Sequence, residues 1–339
     1  MTQQTTASDR WSSSRLEGID VLRGLAALTV VFSHYIPYWH RYLDDIVVLV
    51  PGSMGYHAVE LFFVISGMVI FMTLEKCKTA ADFAWLRFSR LFPTYWTTLG
   101  IATFVTVVIF GQSFWLGGFI VNTTMFQEFL GYPNLDNVYW SLTVELAFYL
   151  NVAWVFALGL HKKINACLVV WLSLSAIWAL TLFDPGRDDR DWLSVLFAFD
   201  YAPFFAFGIL FYKARGRRWT SADVGLLVMT LVVQFLIASW QGVTALAISA
   251  MLVFAGLSGY LRFLTNKLTL WLGAISYSLY LIHRNIAYNI LPWLHEQGFG
   301  PIAGIAVTVI GMLGLAAAVT FLVERPASRR MRSWHRRKA

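Results

Sequence analysis

The chain is poor in charge and in cysteine. Only 13% of its 339 residues are Asp, Glu, Lys or Arg, whereas a soluble globular protein carries about 25%. Two cysteines, Cys77 and Cys167, are too few and too isolated for a disulfide framework or a thiolate metal site. Hydrophobic residues make up 58% of the chain and the mean hydropathy is +0.61. These values exclude an ordinary soluble domain and indicate a polytopic membrane protein.

Long charged segments are also missing, which bears on partners. The formal net charge is +7, but the basic residues lie in short clusters between apolar runs. Such clusters are typical of topology signals and do not predict a nucleic-acid partner. Residues 1–16 lead directly into a full-length apolar run, which differs from the short apolar core of a cleavable signal.

Apolar runs of about 20 residues predict an all-α bundle of roughly ten membrane spans. About 21 of the 26 Lys and Arg residues fall on one side of this alternation. That bias predicts cytoplasmic termini in a multi-pass membrane protein. We expect the membrane to be the bacterial inner membrane. We expect a polar tail over 1–16, a membrane domain over 17–326 and a basic tail over 327–339. The predicted spans are 20–38, 56–74, 91–111, 138–160, 164–183, 193–212, 223–240, 242–261, 269–292 and 301–323.

The first apolar run carries two ionisable residues, Arg23 and His34. Eleven helical steps bring them to within about 20° of the same face, about 16 Å apart along the axis. Ionisable side chains inside a membrane tend to face the protein interior or a wet cavity. The plainer interpretation is that Arg23 snorkels to the headgroups and His34 is a satisfied interior histidine.

Three further spans carry polar residues to a similar predicted depth. They are Glu60 in the second span, Glu145 in the fourth, and His283 in the ninth, with Ser276 and Tyr280 on the face of His283. Two histidines and two carboxylates in one layer favour a functional site over four separate structural roles.

The predicted cytoplasmic side carries a second set of polar residues. Arg87 and Arg90 lie three residues apart before the third span, and paired guanidinium groups suit phosphate oxygens. Positive-inside anchoring is the alternative interpretation. Asp20 lies three residues before Arg23, so these two can pair. The longest connection, GQSFWLGGFIVNTTMFQEFLGYPNLDN, is a candidate lid or acceptor contact.

Six segments, in this order, resemble the acyltransferase-3 family of integral membrane O-acyltransferases. They are GIDVLRGLAALTVVFSH, ELFFVISGMVIF, RFSR before LFPTYW, YWSLTVELAFYL, LGAISYSLYLIH and VERP. The resemblance covers about residues 17–326. Larger members carry a soluble hydrolase-like domain, whereas only a basic tail follows VERP here. The Arg284-Asn285 pair after His283 has no counterpart that we can assign.

The resemblance implies transfer of an acyl group, commonly acetyl, from cytoplasmic acyl-CoA to a hydroxyl of a saccharide or another small acceptor. Acyl-CoA is then a co-substrate, and no tightly bound cofactor or metal is expected. On this hypothesis His34 is the general base, because a neutral imidazole accepts a proton near neutral pH. Glu145 orients the imidazole or holds the acceptor hydroxyl. Arg87 and Arg90 grip the CoA phosphates, and Arg23 lies further along the thioester path.

The remaining polar residues of the layer are expected to bind substrate: Glu60, Ser276, Tyr280 and His283. Outer-leaflet polysaccharide, an undecaprenyl-linked sugar and a secreted small molecule all stay open as acceptors. Transfer through an acyl-His34 intermediate is an alternative route. Two other functions also stay open, namely an O-acyltransferase of the other membrane-bound type with His283 as base, and a transporter or flippase.

Overall fold

The computed structural model describes residues 13–40, 53–182, 192–214 and 217–338, and no strand occurs within these ranges. This confirms the all-α expectation. The α-helices in chain order are α1 (Ser13–His40), α2 (Ser53–Leu74), α3 (Ala80–Phe104), α4 (Leu116–Asn122), α5 (Trp140–Ala157), α6 (Ile164–Thr181), α7 (Trp192–Phe197), α8 (Ala202–Ala214), α9 (Ser221–Ser258), α10 (Lys267–Glu296), α11 (Pro301–Val319) and α12 (Arg325–Lys338).

Seven helical stretches within the described residues are long and apolar enough to cross a bilayer, by length and composition. The total of about ten spans and the cytoplasmic placement of both termini stay predictions. The seven stretches are Glu17–Trp39, His57–Leu74, Ala80–Ile109, Asn137–Ala157, Leu160–Thr181, Ser221–Ser258 and Pro301–His335.

Helix α9 corresponds to two predicted spans. We expected a break between 240 and 242, and the structure has one run of 38 residues with non-helical backbone at Ala238 and Ser239. Ser239 has φ 51°, in the left-handed region that residues with a Cβ rarely adopt. The two predicted spans are therefore parts of one helical run that kinks at this pair.

Some predicted features lie outside the described residues. Most of the tail 1–16 does, as do Arg41, Arg187 and Arg190. Most of the connections DDIVVLVPGSMG and DPGRDDRD also fall in the undescribed ranges 41–52 and 183–191.

The longest connection is not an irregular loop throughout, because it contains α4 and a 3-10 helix at Glu128–Leu130. Asn122 is fully buried there and donates to the carbonyls of Gly118 at 2.9 Å and Pro133 at 3.1 Å. Its side-chain oxygen accepts from the backbone N–H of Leu135 at 3.0 Å. The Tyr95 hydroxyl donates to the Asn122 carbonyl at 2.7 Å, which ties the connection to α3. The segment is thus fixed along residues 118–135.

The chain divides into two compact units. The first comprises Met1–Arg23, Glu60–Ala84 and Val144–Leu270. Its core holds stacked aromatic rings, with the centroid of Phe148 lying 4.1 Å from that of Phe205 and 5.9 Å from that of Trp171. Gly208 of α8 packs directly on α2, since a Cβ at this position would meet the Val64 carbonyl and lie 2.8 Å from the Met68 nitrogen. A small residue is what such a close approach of two helices requires.

The second unit comprises Gly24–Val59, Trp85–Thr143 and Trp271–Ala339. Gly24 of α1 packs against α10, where a Cβ would lie 2.7 Å from the Gly273 nitrogen. The Trp85 indole N–H donates to the Met331 carbonyl at 3.1 Å, and Ser328 donates to the Ser89 carbonyl at 2.7 Å. The first turns of α3 therefore pack against α12.

The close packing of α2 and α8 gives a first prediction. Gly208→Ala should lower the free energy of unfolding by about 1–3 kcal/mol, because its Cβ would meet backbone atoms that cannot yield. Gly225→Ala is the matched control, since nothing lies within 4 Å of a Cβ there and alanine favours a helix over glycine. Thermal unfolding in detergent measures both. Equal midpoints for the two variants would contradict the packing argument.

Candidate active site

Helices α1 and α10 bring two imidazole rings together in the second unit. The ring centroids of His34 and His283 lie 5.2 Å apart at an interplanar angle of 45°. His283 is fully buried, and His34 is half-buried. We call these two residues the histidine pair. Sequence analysis placed them at a similar depth, and the structure places their rings side by side.

Two tyrosines of α1 fix the register of this contact. The Tyr35 hydroxyl donates to the His283 carbonyl at 2.7 Å, and the Tyr38 hydroxyl donates to the Tyr288 carbonyl at 2.9 Å. The rings of Tyr38 and Tyr288 also stack, with centroids 3.9 Å apart. Gly24 lets α1 approach α10 closely ten residues before His34, and Tyr35 and Tyr38 then join the two helices beside the histidines.

The hydrogen bonds of His283 define which nitrogen is available for chemistry. Its Nδ1 lies 2.8 Å from the Tyr280 carbonyl. A carbonyl only accepts, so Nδ1 carries the proton and Nε2 keeps its lone pair. Nε2 is buried and has no hydrogen-bond partner among the described residues. On the other ring, Nδ1 of His34 lies 3.3 Å from the Tyr288 hydroxyl.

A buried carboxylate, that of Asp136, lies beside the two residues that follow His283 in α10. It is 1% exposed, and it accepts from the backbone N–H of Asn285 at 3.0 Å and of Val138 at 3.3 Å. Nη1 of Arg284 lies 3.5 Å from the same carboxylate. Burial raises the pKa of Asp136, and Arg284 with the two backbone N–H groups acts in the opposite direction.

Arg284 links this carboxylate to the histidine pair. Its guanidinium carbon lies 4.6 Å from the centroid of the Tyr288 ring, a cation–π distance. The Tyr288 hydroxyl is the group that lies beside His34. Nε of Arg284 is buried without a hydrogen-bond partner among the described residues. Sequence analysis missed Asp136 and Tyr288, and it noted Arg284 without assigning it a role. The available signal was an acidic residue three positions before the YWSLTVE segment and a basic one directly after His283.

Two predicted substrate-binding residues of α10 form hydrogen bonds within the protein. Ser276 is fully buried and donates to the Gly273 carbonyl at 2.9 Å. The hydroxyl of Tyr280 lies 2.6 Å from that of Ser141 and donates to the Val138 carbonyl at 3.1 Å. These contacts join the start of α5 to α10 at residues that precede His283 in the chain.

Arg90 makes a buried ion pair. It donates to the carboxylate of Glu324, which is 3% exposed and also accepts from the Ser278 hydroxyl at 3.1 Å. Its guanidinium carbon lies 5.5 Å from the centroid of the Tyr277 ring. Arg87, three residues earlier, is half-buried. Glu324 was also missed, although it is the acidic residue of the VERP segment.

The other predicted site residues lie in the first unit. Arg23 pairs with Asp20 at 3.3 Å, which confirms the predicted pairing. The Glu145 carboxylate accepts from the Ser66 hydroxyl at 2.8 Å and from the Tyr149 hydroxyl. Glu60 is half-buried on α2. Within the second unit, the buried carboxylate next to Arg284 is that of Asp136.

The ion pair of Asp136 and Arg284 gives a second prediction. Asp136→Asn should lower the free energy of unfolding by about 2–3 kcal/mol, because it weakens a charged hydrogen bond at a fully buried acceptor. Asp20→Asn is the matched control, since the Asp20–Arg23 pair is 48% and 24% exposed and exposed pairs contribute little. Thermal unfolding of single variants and of Asp136→Asn/Arg284→Gln gives the coupling between the two side chains. If the two substitutions changed the free energy of unfolding in a strictly additive way, the predicted coupling between Asp136 and Arg284 would be contradicted.

A family model described as "Acyltransferase domain" matches residues 16–321. Nodulation protein 10 of Rhizobium leguminosarum bv. viciae is 23% identical over 94% of this chain and 95% of its own length. Peptidoglycan O-acetyltransferase OatA of Listeria monocytogenes is 28% identical over 53% of this chain but only 31% of its own length.

Acyltransferase MdmB of Streptomyces mycarofaciens is 30% identical over 40% of this chain and 38% of its own length. No solved structure matches the chain. The family model covers most of the chain, including both histidines, Asp136 and Arg284. The chain therefore belongs to the acyltransferase-3 family of integral membrane acyltransferases.

Proposed function

We propose that this protein is a membrane O-acyltransferase that moves an acyl group, most simply acetyl, from cytoplasmic acyl-CoA to a hydroxyl of an extracytoplasmic or lipid-linked saccharide. The observation that carries the proposal is the histidine pair, in which a buried imidazole nitrogen keeps its lone pair beside a second, half-buried imidazole. Acyl transfer to an alcohol needs such a proton acceptor.

In this proposal His34 is the general base. We assign to His34 the tautomer with Nδ1–H directed at the Tyr288 oxygen, which leaves Nε2 to accept the proton of the acceptor hydroxyl. The hydroxyl oxygen attacks the thioester carbonyl carbon, and the carbon–sulfur bond then breaks. The imidazolium returns its proton to the departing CoA thiolate. The products are the O-acyl ester and free CoA.

Arg284 is the cation that we assign to the developing oxyanion. Its Nε–H is buried without an acceptor among the described residues, and an unsatisfied buried donor costs about 1–3 kcal/mol. A negatively charged oxygen in the transition state would remove that cost as it forms, which is how preorganised donors assist catalysis. Asp136 holds the guanidinium from the other side, and it acts as a positioning residue.

Arg87 is the proposed contact for the CoA phosphates. Arg90 was expected to share this role, but its guanidinium binds Glu324 and faces Tyr277, so we assign it to the packing of α3 against the start of α12. The roles predicted for Arg23, Glu60 and Glu145 stay predictions from the sequence, as do ten spans, cytoplasmic termini and the bacterial inner membrane.

A saccharide acceptor is supported by the names of two relatives. OatA and YrhL of Bacillus subtilis, the latter 26% identical over 51% of this chain, carry the name peptidoglycan O-acetyltransferase. Each is matched over about a third of its own length or less. The acceptor of this chain is therefore proposed by chemical class, a sugar hydroxyl at or beyond the membrane surface.

One alternative has a specific observation in its favour. Nε2 of His283 also keeps its lone pair, so His283 can serve as the base while His34 shapes the acceptor site. A transporter or flippase without acyl chemistry is a weaker alternative, because the chain belongs to an acyltransferase family. Acyl transfer by the purified protein in detergent separates enzyme from carrier.

The base assignment gives a third prediction. His34→Ala should lower kcat by about 10²–10⁴-fold, because a general base contributes about that factor. His57→Ala is the matched control, since His57 is exposed on α2. Transfer of radiolabelled acetyl groups at matched protein levels in membranes measures both. Full activity of His34→Ala combined with loss of activity in His283→Ala would make His283 the base.

The donor assignment gives a fourth prediction. Arg87→Ala should raise KM for acetyl-CoA by about tenfold with little change in kcat, because a phosphate contact is remote from the reacting carbonyl. Arg90→Ala should instead lower the thermal midpoint, because it leaves the Glu324 carboxylate buried without its cation. An unchanged KM in Arg87→Ala would assign Arg87 to membrane anchoring alone.

A further inference from the structure

A cavity of about 360 Å³ lies in the first unit, where three connections between helices meet. Its wall is formed by residues at the end of α2, the end of α5, the start of α6 and the end of α8. The volume falls in the range of about 300–1,000 Å³ that is usual for small-molecule pockets. None of the lining residues belongs to the candidate active site.

The interior of the cavity combines apolar surface with one unsatisfied polar atom. Phe71, Leu74, Phe156 and Ile164 supply the apolar part. Nδ1 of His161 is buried and has no hydrogen-bond partner among the described residues. A ligand hydroxyl can pair with this nitrogen in either tautomer, because a hydroxyl both donates and accepts. The interior therefore suits a small neutral alcohol with carbon-bound hydrogens on its other side.

The charged side chains of the wall already have partners. Lys213 donates to the amide oxygen of Asn165 and, at 2.9 Å, to the carboxylate of Asp223. The carboxylate of Glu75 accepts from the Tyr212 hydroxyl. Because the wall holds a carboxylate and its ammonium group is neutralised by Asp223, an anionic part of a ligand is better placed at the rim than inside.

Exposed ammonium groups lie on two of the segments that form the wall. Lys76 lies between two lining residues, and Lys78 follows the second of them. Lys162 and Lys163 directly follow the lining residue His161. All four lysines are exposed, and none forms an ion pair with another described residue. Lysines of this kind attract anionic lipid headgroups.

The connection between α5 and α6 also exposes apolar side chains. Trp154 is 70% exposed, Leu158 is 62% exposed and Leu160 is 41% exposed. Exposed tryptophan and leucine just before a pair of exposed lysines are typical of a segment at the boundary between hydrocarbon and headgroups. Phe156 and His161 of this segment line the cavity. We therefore expect the cavity to lie at the depth of the lipid headgroups.

We propose that this cavity binds one anionic phospholipid whose headgroup carries hydroxyl groups, such as phosphatidylglycerol. The headgroup glycerol enters the cavity, where a hydroxyl pairs with Nδ1 of His161. The phosphate lies at the rim on Lys162 and Lys163, and the acyl chains run along the exposed leucines of the same connection. The proposal does not rest on the proposed function, because the cavity and the candidate active site share no residue.

The chain supplies its own reporter of occupancy. Cys167→Ser leaves the cavity residue Cys77 as the single thiol. In full-length protein purified in dodecyl maltoside, phosphatidylglycerol at about nine times its Kd should slow alkylation of Cys77 by uncharged iodoacetamide about tenfold, by mass action. Phosphatidylcholine, which has no net charge, and glycerol 3-phosphate, which has no acyl chain, should leave the rate unchanged. Native mass spectrometry counts the bound phosphatidylglycerol without the thiol.

Variants of the rim test the phosphate contact. Lys162→Gln/Lys163→Gln should raise Kd for phosphatidylglycerol about tenfold or more, because each lysine near an anionic headgroup contributes to binding. Arg262→Gln/Lys267→Gln is the matched control, since it makes the same change of charge at exposed residues on a connection that contributes no lining residue. An equal loss of affinity in both variants would assign the effect to general surface charge and overturn the site.

Phosphatidylmethanol tests the hydroxyl contact, because it has the charge of phosphatidylglycerol without the headgroup hydroxyls. The wild-type protein should bind phosphatidylglycerol about 2- to 10-fold more tightly, which corresponds to one hydrogen bond. His161→Phe should abolish this preference, whereas His161→Gln, which keeps hydrogen-bonding groups, should retain part of it. Equal affinity of the wild type for the two lipids would overturn the contact with His161.

Three further results would overturn the proposal: no protection of Cys77 together with no bound phosphatidylglycerol, equal protection by phosphatidylcholine, or equal protection by glycerol 3-phosphate. The last result would identify a soluble phosphate as the occupant. None of these measurements uses an acyl donor or acceptor. Failure of the lipid site would therefore leave the proposed function standing, and a lack of acyl transfer would leave the lipid site standing.

Discussion

The structure depends on one constraint, which is that polar groups buried among packed helices have to find partners inside the protein. Asp136 meets this constraint with three donors, from Val138, Arg284 and Asn285. Glu324 meets it with Arg90 and Ser278. Where the constraint is not met, a ligand has room to act. Nε2 of His283 and Nε of Arg284 are buried and unpartnered among the described residues, and both lie in the cluster around Tyr288.

Close helix packing is what brings these groups together. In lipid there is little hydrophobic gain from helix association, so small residues and hydrogen bonds decide which faces meet. Gly24 lets α1 approach the backbone of α10, and Tyr35 then donates to the carbonyl of His283. Helix α1 therefore supplies both His34 and the hydrogen bond that holds His283 beside it. A bulky residue at 24 would move both imidazoles apart without touching either.

Sequence periodicity predicted the parts of this arrangement that are local. It placed Arg23 and His34 on one helix, paired Arg23 with Asp20, and put His283 at the depth of His34. It did not predict which residues would be committed to partners elsewhere in the chain. Arg90 binds a carboxylate 234 positions away, and Tyr280 binds Ser141 and Val138 across 139 and 142 positions. Such pairings depend on which helices pack together, and a period of 3.6 residues describes only the faces of a single helix.

The proximity of the two imidazoles also limits how they can handle protons. Their ring centroids lie 5.2 Å apart, so two positive charges there would repel by about 3 kcal/mol at an effective dielectric constant of about 20. Arg284 adds a further positive charge beside Tyr288. Once one imidazole has accepted an additional proton, a second positive charge on the pair is therefore disfavoured. Acyl transfer from a thioester suits such a pair, because the proton taken from the acceptor hydroxyl has to be passed on to the departing thiolate before the next acceptor can be activated.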